Sequence, residues 1–252
     1  MLKVRVIPTL LYRDFGLVKG VQFDAWRHVG SPMQAIKVYN MRGVDELVFL
    51  DVAASPADRS PDFDLIDDLA DDCFMPMAVG GGVRSVDDVR RLLQVGADKV
   101  VIGTASVASP EVVDEASRRF GSQCVVVAID TAAAADGRVT VRVRCGREDT
   151  GRDPVAFAQE IEARGAGEIL LTSIDRDGTM TGYDLETLAD VCGAVSIPVI
   201  ASGGAGTYDD MVAALTDGGA SAVAAASMFH FTEQTPMEAK LRIRECGFPV
   251  RV

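Results

Sequence analysis

Several things are scarce in these 252 residues. Only two histidines occur, His28 and His230, too few for a histidine-rich metal site, and nothing in the chain demands a metal. The five cysteines (Cys73, Cys124, Cys145, Cys192 and Cys246) are odd in number, widely spaced and without a Cys-x-x-Cys pair, which fits reduced thiols better than disulfides or zinc. Positive charge is in deficit: 25 Lys and Arg against 37 Asp and Glu leave a net charge of −12. Phosphate backbones are bound by basic surfaces, so no nucleic-acid partner is expected, and any phosphate ligand must be held locally. No apolar run approaches the roughly 20 residues of a membrane span, and the first ten residues read as a strand rather than a signal peptide. A cytoplasmic protein without membrane attachment is the expectation. Low-complexity tracts are also missing, while 48% hydrophobic and 25% charged residues suit a compact globular core.

What is present is a repeated unit. The stretch from Ile197 to Phe229 reads as strand, glycine turn, helix, strand, with an apolar run ending in Ser202 that feeds into Gly203 and Gly204. Backbone N–H groups converging at such a turn make a phosphate seat. The same pattern occurs earlier, aligning Pro76 with Pro198, Gly81 with Gly203, Gly82 with Gly204 and, after one inserted residue, Thr104 with Ser227. The sequence therefore reads as a duplication with two seats, in half-barrels of about 1–122 and 123–252.

Short β-rich segments near 4–10, 46–51, 76–80, 99–103, 124–130, 168–173, 198–202 and 221–226 alternate with segments of helical period. Eight β/α units in a chain of this length predict one α/β domain, a closed parallel (β/α)8 barrel with its chemistry on the loops after the strands. The first such loop, Leu11–Gly30, is long and carries Lys19; it reads either as a lid over an anionic substrate or as a solvated loop. Its counterpart, 131–152, holds an Asp136-Gly137 turn followed by alternating Val139, Val141 and Val143, which predicts a small inserted hairpin.

Carboxylates at strand ends are the catalytic candidates: Asp51, Asp130 and, after the sixth strand, Asp175 and Asp177. Asp130 ranks first, because its strand VVVAID is otherwise apolar and a buried carboxylate there needs a reason. Asp175 and Asp177 read as hydroxyl ligands or proton carriers, or as loop caps. At the opposite rim, Arg5, Glu46, Lys99 and Glu168 begin four strands. They read either as a ring across the barrel's floor or as rim charges that keep the bottom soluble. Strand alternation puts Arg5, Ile7, Thr9 and Leu11 on one face.

The motifs VIPTLLYRDFGLVKGVQF, DELVFLD, GGGVRS, GADKV, GSQCVVVAID, RGAGEILLTSIDRDGT, IASGGAG and AASMFHF occur in that order. Along essentially the whole chain they resemble the cyclase subunit of imidazole glycerol phosphate synthase. That resemblance implies a barrel which takes ammonia from a glutaminase partner at its floor and passes it to a bisphosphorylated ribulosyl substrate at the top, with no cofactor. It assigns Arg5, Glu46, Lys99 and Glu168 to a floor gate and Asp98 to the partner-facing surface. Gly82 and Thr104 match one phosphate seat, and Gly204, Ala226 and Ser227 the other. Lys19 matches a lid lysine, Asp51, Thr172, Asp175 and Ser202 match polar positions around the substrate, and Asp130 matches one of two catalytic aspartates.

The second aspartate is missing. The family's strand one ends in Cys-Leu-Asp-Val, whereas Thr9-Leu10-Leu11-Tyr12 places Leu11 at that position, and Gly103 stands where the family carries asparagine. General acid–base help is worth typically 10² to 10⁴ in rate, so loss of one member of the pair should impair ring closure. The variant pattern resembles a subgroup associated with glycosyl amidation, in which a barrel, a glutaminase and an ATP-dependent sugar amidotransferase make acetamidino sugars of surface polysaccharides.

Overall fold

Alternating apolar strands and amphipathic helices bury both faces of a parallel sheet, and here the sheet does so by closing on itself. The computed structural model describes residues 3–252. Its strands are β1 (Arg5–Arg13), β2 (Gly16–Val21), β3 (Asp24–Gly30), β4 (Leu47–Asp51), β5 (Met77–Gly80), β6 (Lys99–Ile102), β7 (Val125–Ala133), β8 (Val139–Val143), β9 (Glu148–Asp149), β10 (Glu168–Ser173), β11 (Val199–Ser202) and β12 (Ala222–Ala225). Eight of them pair in parallel in the order β1-β4-β5-β6-β7-β10-β11-β12, and the β1–β12 ladder closes the barrel.

Alternation along these strands divides the core in two. Ile7, Val48, Ala78, Val101, Val126, Leu170, Ile200, Ala222 and Ala224 point inward and pack as one cluster, while the outward positions pack against the helices. The helices start where local chemistry says they should. Ser85 with Asp88, Thr207 with Asp210 and Thr235 with Glu238 each form a reciprocal capping box.

The first long loop differs from its expected form. β1 continues to Arg13, turns at Asp14 (φ 58°), and returns as β2 and β3, so an antiparallel ribbon lies over the barrel mouth. It is docked tightly: a Cβ on Gly178 would sit 2.3 Å from the Gly20 carbonyl oxygen, and the Gln22 N–H donates to the Asp177 carbonyl at 2.8 Å. The hairpin expected after Asp130 is present, with β7 running on to Ala133 and β8 and β9 folding back antiparallel.

Candidate functional site

The floor is sealed by charge. Arg5 bridges Glu46 and Glu168, and Lys99 Nζ reaches Glu46 at 2.9 Å and Glu168 at 2.8 Å, so the two cations and two carboxylates close a ring across the barrel axis. Both glutamates are buried, which makes each dependent on its partners. Burial alone would lower the Arg5 pKa, but the hydrogen bonds and charges of Glu168 and Glu46 outweigh it and hold the guanidinium above its ordinary value. Asp98 is exposed beside this face, and its Oδ2 accepts the Met77 N–H at 2.9 Å.

Above the ring the inward apolar residues fill the axis, and above them a pocket opens among the loops. It is lined by Thr9, Leu11, Asp51, Gly103, Thr104, Asp130, Arg142, Thr172, Asp177, Ser202, Gly204, Ala226 and Ser227, among others, and it reaches down to Val101, Ala128, Leu170 and Ala224 inside the barrel. Four buried side-chain polar atoms lack a partner among the described residues, and three of them, Thr9 Oγ1, Arg142 Nε and Ser227 Oγ, belong to pocket-lining residues. Orphaned buried polar groups are costly, so their concentration here marks this pocket as a place built for a ligand.

Asp130 is part of the pocket's lining. Burial raises its pKa to about 7, the nearby Asp177 carboxylate adds to the rise, and a hydrogen bond with Thr172 opposes it. A carboxyl poised near neutrality can both take and give a proton. The strand pairing sets this geometry, because Thr172 on β10 lies directly across from Asp130 on β7. Leu11 ends the inward face of β1 at the same pocket, so no carboxylate stands at that strand's end.

Asp177 takes the second acidic place. Its Oδ2 receives Lys19 Nζ at 2.7 Å, and Lys19, buried in the ribbon, also donates to the Gly20 carbonyl at 3.0 Å. Burial still raises the Asp177 pKa despite that cation. His230 lies within the same field: burial and the Lys19 charge push its pKa down, and a hydrogen bond with the Thr9 backbone opposes them. Cys145 borders the pocket as an inert thiol, pushed up to about 12 by burial and by Asp130.

Histidine biosynthesis proteins, as a family, match this chain over residues 5–235. The chain belongs to that family. Its members are catalytic isomerases and cyclases, and the closed barrel with a polar pocket on the loops after its strands is the arrangement such chemistry uses.

Most of the positions singled out in the family comparison of motifs meet at one of the two ends. Asp51 lines the pocket but spends its carboxylate locally, accepting the Ala53 and Ala54 N–H groups at 2.9 and 3.1 Å and facing Arg59 at 3.3 Å. Gly82 is beside the mouth, where its N–H donates to Ser55 Oγ at 3.3 Å. Asp175 is not on the pocket wall: it is exposed and accepts the Ala133 N–H at 2.8 Å, tying β10's loop to β7. Asp177, two residues on, occupies the pocket instead, because the turn that bonds its N–H to the Ser173 and Ile174 carbonyls swings it inward. Arg142 and Arg144 also line the pocket; from the sequence the arginines of this hairpin, Arg138, Arg142, Arg144 and Arg147, read either as substrate contacts or as a solvated face.

Proposed function

We propose that this barrel receives ammonia at its floor from a glutaminase subunit and presents it to a phosphorylated sugar at its mouth, serving glycosyl amidation for surface polysaccharide rather than ring closure in histidine synthesis. The observation that carries this reading is an asymmetry: the ion-pair ring on the floor is complete, whereas Leu11 has removed an acid from the top. A cyclase needs both ends, but an ammonia conduit for a separate ATP-dependent sugar amidotransferase needs the floor and the passage.

Two further features support a partner on the floor. Met41 and Phe74, 81% and 82% exposed, flank the same end of the barrel, just before β4 and β5. Asn40 pins their loops together, donating to the Asp72 carbonyl at 2.7 Å and accepting the Phe74 N–H at 3.1 Å. Paired exposed apolar side chains on a rigid support suit a protein interface. Inside the barrel, Ala78, Ala128, Ala222 and Ala224 keep the lining small, and the unpartnered Thr9 hydroxyl can hydrogen-bond a small polar molecule on its way up.

The test is to mix the chain with a class I glutaminase subunit and follow both complex formation and glutamate release. The reading requires a one-to-one complex and faster glutamine hydrolysis in it. Absence of both sinks the reading.

A second reading, a working imidazole glycerol phosphate synthase cyclase, draws on the closeness of Asp177 to Asp130, which offers a replacement carboxylate. Turnover of the bisphosphorylated ribulosyl substrate with ammonium as nitrogen source decides between the two. A third, a non-catalytic scaffold that only activates the glutaminase, predicts that no phosphosugar binds the mouth.

A further inference from the structure

The strands of the barrel end differently in its two halves. Alternation from Ile7, Val48, Ala78 and Val101 carries the inward face up to Leu11, Leu50, Gly80 and Gly103, so the first four parallel strands reach the mouth without a polar side chain. Leu11 lies across the ladder from Leu50, and Leu50 from Gly80. A Cβ on Gly80 would sit 2.7 Å from the Val101 Cβ and 2.9 Å from Leu50 Cδ2, so the two neighbours close over that position. At Gly103 the nearest atom to a Cβ would be the Ala128 Cβ at 3.9 Å, which leaves space beside Ala128. In the second half the same layer is polar. Asp130, Thr172 and Ser202 stand on β7, β10 and β11, with Thr172 paired to both of the others.

The apolar half is not sealed core. Leu50 and Ala128 pack against the inward cluster yet stay only partly buried, and with Leu11 and Val101 they line the pocket. Asp51 adjoins this half at the rim, but its carboxylate is taken by the Ala53 and Ala54 N–H groups and by Arg59. Thr9 Oγ1, two residues below Leu11 on the same face, has no partner among the described residues and offers one hydrogen bond to an oxygen beside an apolar group. A hydroxyl placed against Leu11, Leu50 and Ala128 would lose its water without gaining a partner. A methyl group there gains by leaving water.

We propose that this half of the mouth is a methyl-binding subsite, walled by Leu11, Leu50, Val101 and Ala128, and that the barrel's sugar carries a methyl group there, on an N-acetyl substituent or as a 6-deoxy carbon. This rests on reading the pocket as a phosphosugar site, and it narrows the substrate class. Leu11 then does more than remove an acid: it builds the wall that selects the sugar.

The experiment titrates the full chain, without any glutaminase, with glucose 1-phosphate, its 6-deoxy analogue and N-acetylglucosamine 1-phosphate. At least one methyl-bearing sugar is expected to bind about tenfold or more tighter than glucose 1-phosphate, since burying a methyl is worth about fourfold and stranding a hydroxyl costs at least as much. Which of the two analogues leads tells which group carries the methyl. Leu11→Asn and Ala128→Ser should each bring that preference to within about threefold, whereas Ser202→Ala, in the polar half, should weaken all three sugars and preserve it. Glucose 1-phosphate binding as tightly as both analogues overturns the proposal and leaves the phosphosugar reading in place. A preference that persists unchanged in both Leu11→Asn and Ala128→Ser also overturns it. If none of the three sugars binds, the phosphosugar reading falls and the proposal falls with it.

Discussion

Replacing Asp130 with asparagine should make the protein more stable at alkaline pH and change nothing in acid. The carboxyl is half-buried in the pocket wall, with Asp177 nearby, and its pKa stands at about 7 against an ordinary 3.8. The folded state therefore holds this proton more tightly than the unfolded chain. Stability from it is fully present below about pH 4 and is lost as pH rises through about 7. The interval corresponds to about 4 kcal/mol when the group is fully ionised, and water in the open pocket reduces this to roughly 2–3 kcal/mol. Asparagine keeps the shape and can still accept a hydrogen bond from Thr172, but it never ionises. For a chain of this size, that gain corresponds to a rise in Tm of roughly 4–12 °C at pH 8.5. Calorimetry of both proteins at pH 4, 6 and 8.5 checks it, since slopes from titrating groups that do not interact with Asp130 cancel in the difference and only the coupled Asp177 remains beside it. Equal Tm values at pH 8.5, or a variant less stable than wild type there, would refute the assignment of Asp130 as a destabilised, poised carboxyl.

Leu11→Asp places a carboxylate opposite Asp130 but should not by itself yield ring-closing turnover, because Gly103 supplies no side chain at the seat beside Thr104; appearance of cyclase activity with ammonium would show that the mouth lacked only that acid. Phe74→Asp should leave the barrel's Tm within a degree or two, since the ring is 82% exposed, while weakening a floor-bound partner by tenfold or more in a binding titration, the loss typical of an aromatic anchor. Gly20→Ala should unseat the ribbon, because its Cβ would lie 2.0 Å from the Asp24 carbonyl oxygen; limited proteolysis between residues 14 and 30 is expected to speed up while the rest of the barrel resists.

The barrel was readable because its signals are local. Each parallel strand is a short apolar run buried on both faces, and several helices carry their own side-chain caps, as at Ser85 and Thr207. Arg5, Glu46, Lys99 and Glu168 were legible as charges at the starts of four strands, which left a ring and a set of rim charges both open; the resemblance pointed to the ring, and the ion pairs join all four. Asp130 stood out as a lone carboxylate ending an apolar strand. The β1–β3 ribbon was less legible: its turns depend on left-handed Asp14, Gln22 and Phe23, and on Gly20 packing under Asp24, contacts that propensity does not report. The choice between Asp175 and Asp177 was hidden for a similar reason, as loop residues have no period and a single turn decides which one faces inward. The hydrogen bond from the Arg144 N–H to Thr104 Oγ1 joins residues 40 apart in sequence across a strained turn, and nothing in composition or spacing announces it.

The central claim is that the floor ring gates ammonia between a glutaminase and this barrel, and Lys99→Glu tests it most directly. The substitution leaves three carboxylates beside Arg5, with Glu46 and Glu168 both deprived of the cation now within 3 Å of each. In the reconstituted system, aminated product is measured against glutamate released, with exogenous ammonium as the alternative nitrogen source. The account predicts a ratio near one for wild type, a marked fall for Lys99→Glu, and product restored by ammonium. A Lys99→Glu ratio equal to that of wild type would contradict it and reduce the ring to a set of rim charges.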